Sequence, residues 1–406
     1  MNYGAKLMKR IMATILICVI FSSALTCVNA TGQEQDTQNG FFINFNNVAT
    51  GYTSVIHGDK HFLPMRKVFE LMEANVFYRK RDSKILVLTR DGDTITHIIG
   101  DKTITVNGKE KTFENPSLKI NSETYMPVDM IAAVICPDRI SYHNKQLNIE
   151  KQIINNEYHK VIKEVLALAK NSNFYPERFK RYKDYHGKYP KYSVQDVIFR
   201  VNLGLDYPFY ENIATIEHPY ELLVLVNKYN QLPAQFNQYN LVNMDKKYTL
   251  NDGKQYLLAG VAYEKYMQMW DAAKKEGLSM MVVSAYRTED YQRNLYNNKV
   301  RTSGKVYADN YSARAGHSEH QTGLAVDIGS TRTSFEYSGE FKWLQKHAHE
   351  YGFILRYPKG KEWITGYSYE PWHYRYVGVE AATIIYEEGI TFEEYYAKYV
   401  AVNEFR

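Results

Sequence analysis

The sequence predicts an α+β chain in two folded parts, a β-rich repeat region over residues 42–150 and an α+β domain over residues 196–406. Three observations predict it. Short apolar-alternating segments separated by turn residues crowd the first region. Helix-period and strand-period segments interleave in the second. The 406 residues, 45% hydrophobic and 23% charged, suffice for two or three globular domains.

Residues 1–30 read as an export leader. Lys6, Lys9 and Arg10 form a basic start, "IMATILICVIFSSAL" an apolar core, and "VNA" ending at Ala30 a cleavage site. An uncleaved anchor is the other reading. The residues "ALT" before Cys27 fit a lipid-attachment box poorly. No later stretch is apolar enough to span a bilayer. Removing the leader takes three of the 50 basic residues and no acids, so 47 Lys and Arg face 45 Asp and Glu. A nearly neutral chain gives no support to nucleic-acid binding, while weak attraction to anionic polymers stays open. Cys18 and Cys27 leave with the leader, so Cys136 stands alone. That excludes an intrachain disulfide framework and a cysteine-rich zinc site; any metal must be held by His and carboxylate.

Residues 31–41 are polar and are expected to be a disordered lead-in. Next comes an internal repeat: "HFLPMRKVFELMEANVFYRKRDSKILVL" (61–88) is echoed by "TYMPVDMIAAVICPDRISYHNKQLNIE" (124–150). Each copy reads as an aromatic–apolar–Pro segment, a short amphipathic helix, a strand, a charged turn and a second strand. Between them Asn107-Gly108 marks a hairpin turn. His57 and His61 either share a metal or are isolated surface histidines. Residues 151–195 read as a linker with one helix, "NNEYHKVIKEVLALAK". Its basic, aromatic run "RFKRYKDYHGKYPKY" is either a solvated linker or a polymer-binding segment.

In the C-terminal domain, "QYLLAGVAYEKYMQMWDAAKKEG" carries a helical stripe at Leu258, Ala262, Tyr266, Met269 and Ala273, ending near Gly277. A strand, "LSMMVVSAY", follows, and Thr288 caps the helix that begins "TEDYQRNLY". "FKWLQKHAHEYG" is a further helix with Phe341, Leu344, Ala348 and Tyr351 on one face, stopped at Gly352.

Two segments concentrate chemistry. In "GHSEHQTGLAVDIGS" (316–330), strand alternation puts Leu324, Val326 and Ile328 on the buried face and Asp327 on the other. Gly323 permits the bend that returns His320 toward that carboxylate. In "YEPWHYRYVG" (369–378), alternating aromatics predict a strand, so Glu370 must reach His373 through a bend at Pro371. Hydrolytic zinc sites take three protein ligands from His and Asp/Glu and keep one position open. His320, Asp327 and His373 supply such a set for one Zn2+, with Glu370 spare as a general base. Arg287 lies just before a helix N-terminus, where an anion is favoured; pairing with Glu289 or Asp290 is its structural alternative. His317 reads as a loop histidine. His347 and His349, two apart on a helix, cannot chelate together, Glu319 reads as solvated or second to the ligands, and Trp372 as packing.

Together "SAYRTEDYQRNLY", "GHSEHQTGLAVDI" and "GFILRYPKGKEWITGYSYEPWHYRYVG" resemble the VanY-type D-alanyl-D-alanine carboxypeptidases, over roughly residues 196–396. The resemblance implies a zinc D,D-peptidase fold, an antiparallel sheet with flanking helices. It implies zinc on His320, Asp327 and His373, catalysis by Glu370, and substrate contacts from Arg287, Gln292, Ser318 and Tyr357. It further implies peptidoglycan stem peptides as substrate. Residues 42–150 resemble the copper amine oxidase N-terminal-like domain of secreted proteins, read here as either a module facing the cell wall and its polymers or a spacer, with no copper implied. Three rivals stay open: an L,D-carboxypeptidase or wall-lytic endopeptidase with the same zinc chemistry, a wall-binding protein without activity, and a hydrolase acting on exported proteins rather than wall peptides.

Overall fold

The computed structural model describes residues 25–28, 34–90, 92–135, 137–151 and 174–401, which fall into two compact units. The leader over residues 1–24, the helix expected at 155–170 and Cys136 lie outside the described residues.

The first unit is strand-rich, as the alternation requires. In order it forms β1 (Leu25–Val28), β2 (Glu34–Phe45), β3 (Val48–His57), β4 (Lys60–Pro64), α1 (Met65–Leu71), β5 (Asn75–Arg79) and β6 (Lys84–Leu88). Then come β7 (Thr94–Ile98), β8 (Thr103–Val106), β9 (Lys109–Thr112), β10 (Leu118–Ile120), β11 (Glu123–Pro127), α2 (Val128–Ile135), β12 (Arg139–His143) and β13 (Gln146–Glu150). The repeat is real in space: β4–α1–β5–β6 and β11–α2–β12–β13 are two copies of one unit. Their first strands pair antiparallel, Tyr125 opposite Pro64 and Pro127 opposite Phe62. One sheet runs β10-β11-β4-β3-β2-β13-β12, the other β5-β6-β7-β8-β9. The core between them takes Leu63, Val68 and Phe69 from one copy and Met126, Met130 and Ile131 from the other. Asn107 and Gly108 both adopt positive φ, 50° and 80°, as a two-residue turn between β8 and β9 needs.

One sequence expectation is corrected here. Residues 34–41 are not a loose lead-in: they belong to β2, whose main chain pairs with β3 from Gln38 onward. Backbone pairing holds that segment, and its polar side chains give no alternation to read. Residues 25–28, expected at the end of the leader, pair with Glu34–Thr37. Among the described residues, His57 and His61 gather no third ligand; His61 instead bonds the Ser54 hydroxyl at 2.9 Å.

The second unit holds residues 181–403 with 171–174. The basic, aromatic run expected in the linker forms α3 (Phe179–Lys188) and packs. Tyr182 is fully buried and donates to Asn202 at 2.7 Å, and Arg181 grips Asp206 at 2.6 and 2.7 Å. Aromatics three apart give this helix an inner face that the surrounding lysines conceal. Helix α4 (Val194–Asn202) follows, capped by Ser193. Two short ladders, β14 (Ala214–Thr215) with β15 (Asn230–Gln231) and β16 (Leu241–Asn243) with β17 (Leu257–Ala259), lead into α5 (Gly260–Lys275). Leu258 therefore lies in β17 rather than in the helix; Ala262, Tyr266, Met269 and Ala273 form the buried stripe.

The remaining elements frame the site: β18 (Val282–Ser284), α6 (Glu289–Ser303), α7 (Lys305–Tyr311), β19 (Ala325–Ile328), α8 (Gly339–His347) and β20 (Phe353–Leu355). After them come α9 (Glu362–Thr365), β21 (His373–Tyr376), α10 (Val379–Glu388) and α11 (Phe392–Tyr395). The sheet runs β18-β19-β21-β20 and every pair is antiparallel. Val326, Ile328, Tyr374 and Tyr376 turn into a core shared with α5 and α8. That leaves the opposite face of β19 and β21 for polar side chains.

Candidate active site

The antiparallel register sets Asp327 directly opposite His373. Side chains paired across two strands lie close enough to share an ion. His320 comes from a 3-10 turn, Glu319–Thr322, that closes at Gly323 with φ of 67°. A Cβ at Gly323 would lie 2.7 Å from the Leu241 side chain and 3.2 Å from the Ala259 nitrogen. The turn thus needs glycine for both its backbone and its space. Gly323→Ala is expected to cost about 1–3 kcal/mol of stability, read as a lower midpoint in urea unfolding; an unchanged midpoint would show that the turn is relaxed.

Ligand atoms of His320, Asp327 and His373 lie within 4.8 Å of one another, all buried. His320 Nε2 stands 3.4 Å from Asp327 Oδ1, and His373 Nδ1 stands 3.5 Å from the same oxygen. That oxygen is buried without a hydrogen-bond partner, which is costly unless a cation faces it. Both imidazoles are oriented from behind. His320 Nδ1 donates to the Ala285 carbonyl at 2.7 Å, fixing Nε2 as the free lone pair. His373 Nε2 faces Glu319 Oε2 at 3.7 Å. The donor set therefore fits one divalent ion.

Electrostatics agree. Burial, with Arg287 nearby, pushes the His320 pKa down to about 4, so this imidazole is neutral. Burial also opposes charge on His373, but the carboxylates of Glu319, Glu370 and Asp327 outweigh it and hold its pKa up to about 9. Burial would raise Asp327; the Arg287 guanidinium at 2.8 Å instead helps hold it well below the usual carboxylate range. Without an ion, His373 keeps a proton that a metal would displace.

Glu370 reaches the triad through the bend expected at Pro371. The His373 N–H donates to the Glu370 carbonyl at 3.2 Å, and the Glu370 N–H to the Tyr357 carbonyl at 3.2 Å. This tight turn swings the carboxylate back to 3.4 Å from His373 Nδ1. Arg287 does not pair with Glu289 or Asp290; Arg293 does. Arg287 is held by the Ser284 hydroxyl, by Asp327 Oδ2 at 2.8 Å and by Gln292 Oε1 at 3.4 Å. A cleft of about 540 Å³ collects the triad, Glu370, Arg287, Gln292, Ser318 and Tyr357. The Tyr357 ring lies 4.8 Å from that of His373. His317 stays out of the cleft wall, buried with Nδ1 on the Asn227 carbonyl at 2.7 Å. His349 stacks on Tyr386, away from the site. Trp372 both packs on the core and lines the cleft.

Of the two places the sequence left open for Glu319, the structure gives the one behind the ligands, beside His373; the arginines that hold it there were missed. Glu319 is not solvated: it is fully buried, 2.8 Å from Arg356 and 3.0 Å from Arg375. Arg356 also binds Glu393 at 2.6 and 2.9 Å. Burial alone would raise the Glu319 pKa, but the two guanidinium groups drive it far below its usual range. The signal available was the alternation on β21, which puts Arg375 on the face of His373.

A family model described as D-alanyl-D-alanine carboxypeptidase (VanY) matches residues 255–379, and one described as copper amine oxidase N-terminal domain matches residues 42–150. The chain is 43% identical over 196 residues to the carboxypeptidase-family protein YodJ of Bacillus subtilis, covering 46% of this chain and 71% of YodJ. It is 39% identical over 183 residues to a D-alanyl-D-alanine carboxypeptidase of Enterococcus faecalis, covering 43% of this chain and 65% of that protein. Among solved structures, the LdcB LD-carboxypeptidase aligns at 41% identity with a TM-score of 0.44, over 46% of this chain and 91% of LdcB. The vancomycin-resistance D,D-pentapeptidase VanY, solved with Zn(II), aligns at 37% identity and a TM-score of 0.37, over 43% of this chain and 99% of that one. The extent of identity with YodJ, and a family match that spans His320, Asp327, Glu370 and His373, show that the chain belongs to the VanY family of D-alanyl-D-alanine carboxypeptidases.

Proposed function

We propose that this protein is an exported, zinc-dependent D-alanyl-D-alanine carboxypeptidase that removes the C-terminal D-amino acid from peptidoglycan stem peptides. The observation that carries the reading is the convergence of His320, Asp327 and His373 beside the carboxylate of Glu370. The leader pattern in the sequence supports export, and the repeat unit is assigned a wall-facing role on its resemblance.

His320, Asp327 and His373 would hold the zinc, which when bound would supply Lewis acidity at the scissile carbonyl and lower the pKa of a nearby water. The protein's own groups do the rest. Glu370 takes the proton of the attacking water and passes it to the leaving amine. Asp327 and His373 face each other on rigid strands, so the distances are set before substrate arrives. Arg287, fixed by Ser284 and Asp327, offers its remaining N–H toward the cleft, where it balances the substrate's terminal carboxylate or the oxyanion of attack. Gln292, held by the Ala313 carbonyl at 2.8 Å, keeps its oxygen on Arg287. Ser318 and Tyr357, on the wall of the same cleft, supply further contacts to the peptide.

The test is product identification by mass spectrometry on defined stem peptides. The pentapeptide is expected to lose one terminal D-alanine, to stop doing so with a chelator and to resume with added zinc. Loss of D-alanine from the tetrapeptide alone would reassign the activity to L,D-cleavage. If neither peptide is shortened, the carboxypeptidase reading is wrong.

A further inference from the structure

Helix α6 runs along one wall of the catalytic cleft. Gln292, Leu295 and Lys299 line that cleft at i, i+3 and i+7, one stripe of one helix. Gln292 sits at the metal end, bonded to Arg287. Seven residues further, at 1.5 Å per residue, Lys299 lies about 10 Å away. There the stacked rings of Tyr307 and Tyr311, 4.5 Å apart, form the other lip. Both tyrosines are exposed, at 46% and 37%.

The cations of this cleft are not equivalent. Arg287 is bound to Asp327. Lys299 has no carboxylate within ion-pair distance among the described residues. Its ammonium makes a long contact of 3.5 Å to the Tyr311 carbonyl and lies 5.9 Å from each tyrosine ring centre. The acid of the neighbouring helix α7, Asp309, is committed to Arg314 at 3.0 Å and to the Tyr296 hydroxyl at 2.7 Å. The acids lining the cleft, Glu319, Asp327 and Glu370, all belong to the metal end. A positive, aromatic-backed position facing open cleft is suited to an anion that arrives with the substrate.

Resting on the carboxypeptidase reading, we propose that Lys299, with Tyr307 and Tyr311, is a distal subsite for a free carboxylate carried by the substrate upstream of the scissile bond. An extended peptide advances about 3.3 Å per residue, so the carboxylate sits about three residues before that bond. The subsite makes the enzyme selective for acidic peptides over peptides in which that group is amidated. The rings hold the Lys299 stem along the lip and offer their faces to the peptide backbone.

The test uses the full zinc-loaded chain and two synthetic peptides with the same D-alanyl-D-alanine end. One carries a side-chain carboxylate three residues before the scissile bond, the other the carboxamide. The carboxylate peptide is expected to show a KM about fivefold lower, as for a partly exposed ion pair, with the advantage shrinking as salt is added. Lys299→Met is expected to bring the ratio between the two peptides near one, Lys299→Arg to restore it, and Lys299→Glu to invert it. Zinc content and unfolding midpoint check that each variant is folded. Equal KM values for the two peptides, or a preference that survives in Lys299→Met, overturn the subsite and leave the carboxypeptidase reading standing. Cleavage of neither peptide overturns that reading itself, and the subsite with it.

Discussion

Glu370→Gln is expected to lower kcat on the pentapeptide by about 10²–10⁴-fold while the protein retains its zinc. The glutamine keeps the shape of the side chain and the turn at Pro371, because that turn is closed by main-chain bonds from His373 to Glu370 and from Glu370 to Tyr357. What it loses is the basic oxygen 3.4 Å from His373. Without that oxygen no acid lining the cleft among the described residues is left to take the water's proton, since Asp327 is committed to Arg287 and to the triad, and Glu319 to Arg356 and Arg375. KM should change little, because Glu370 contributes to the reaction rather than to holding the peptide. Turnover and bound zinc, measured on one preparation, decide the matter. A variant that keeps more than a tenth of the wild-type kcat would remove Glu370 from the mechanism; one that loses zinc would make it a ligand.

Glu319→Gln should act on both metal and fold. Glu319 stands behind His373 and faces its Nε2 at 3.7 Å. A carboxylate in that position orients the ring and raises its basicity, so zinc affinity is expected to fall about 10–100-fold. The same change leaves Arg375 without its carboxylate and Arg356 with Glu393 alone. An uncompensated buried cation costs about 3–5 kcal/mol, so the urea midpoint should drop as well. Glu393→Gln separates the two effects. It strips Arg356 of its other partner yet does not touch His373, so it should weaken the fold and leave zinc affinity near wild type. Competition against a chromogenic chelator measures the affinity. Equal affinity in wild type and Glu319→Gln would show that the ring is held without Glu319.

The four central residues were legible because their chemistry is local in sequence. His320 and Asp327 share one short segment and Glu370 and His373 another, with glycine and proline marking each bend. Only their meeting needed the fold, and strand alternation already pointed Asp327 and His373 away from the core. The charged group of Glu319, Arg356, Arg375 and Glu393 was not legible, because its partners are 37 to 56 residues apart and each alone looks like a surface charge. The same blindness affected the run from Arg178 to Tyr192. Its lysines advertised solvent, whereas Tyr182 and its bond to Asn202 decide where the helix lies. Residues 34–39 show the converse: main-chain pairing makes a strand out of side chains that carry no strand signal.

The pairing of Asp327 with His373 across β19 and β21 also bears on how the enzyme matures. A slip of one residue between these strands would turn one of the two side chains toward Val326 and Tyr374, into oil rather than water. Hydrolytic competence then arises only when the innermost strands have found their proper alignment, so turnover doubles as a proofreading signal for assembly. Mispaired chains would then be inactive instead of half-active.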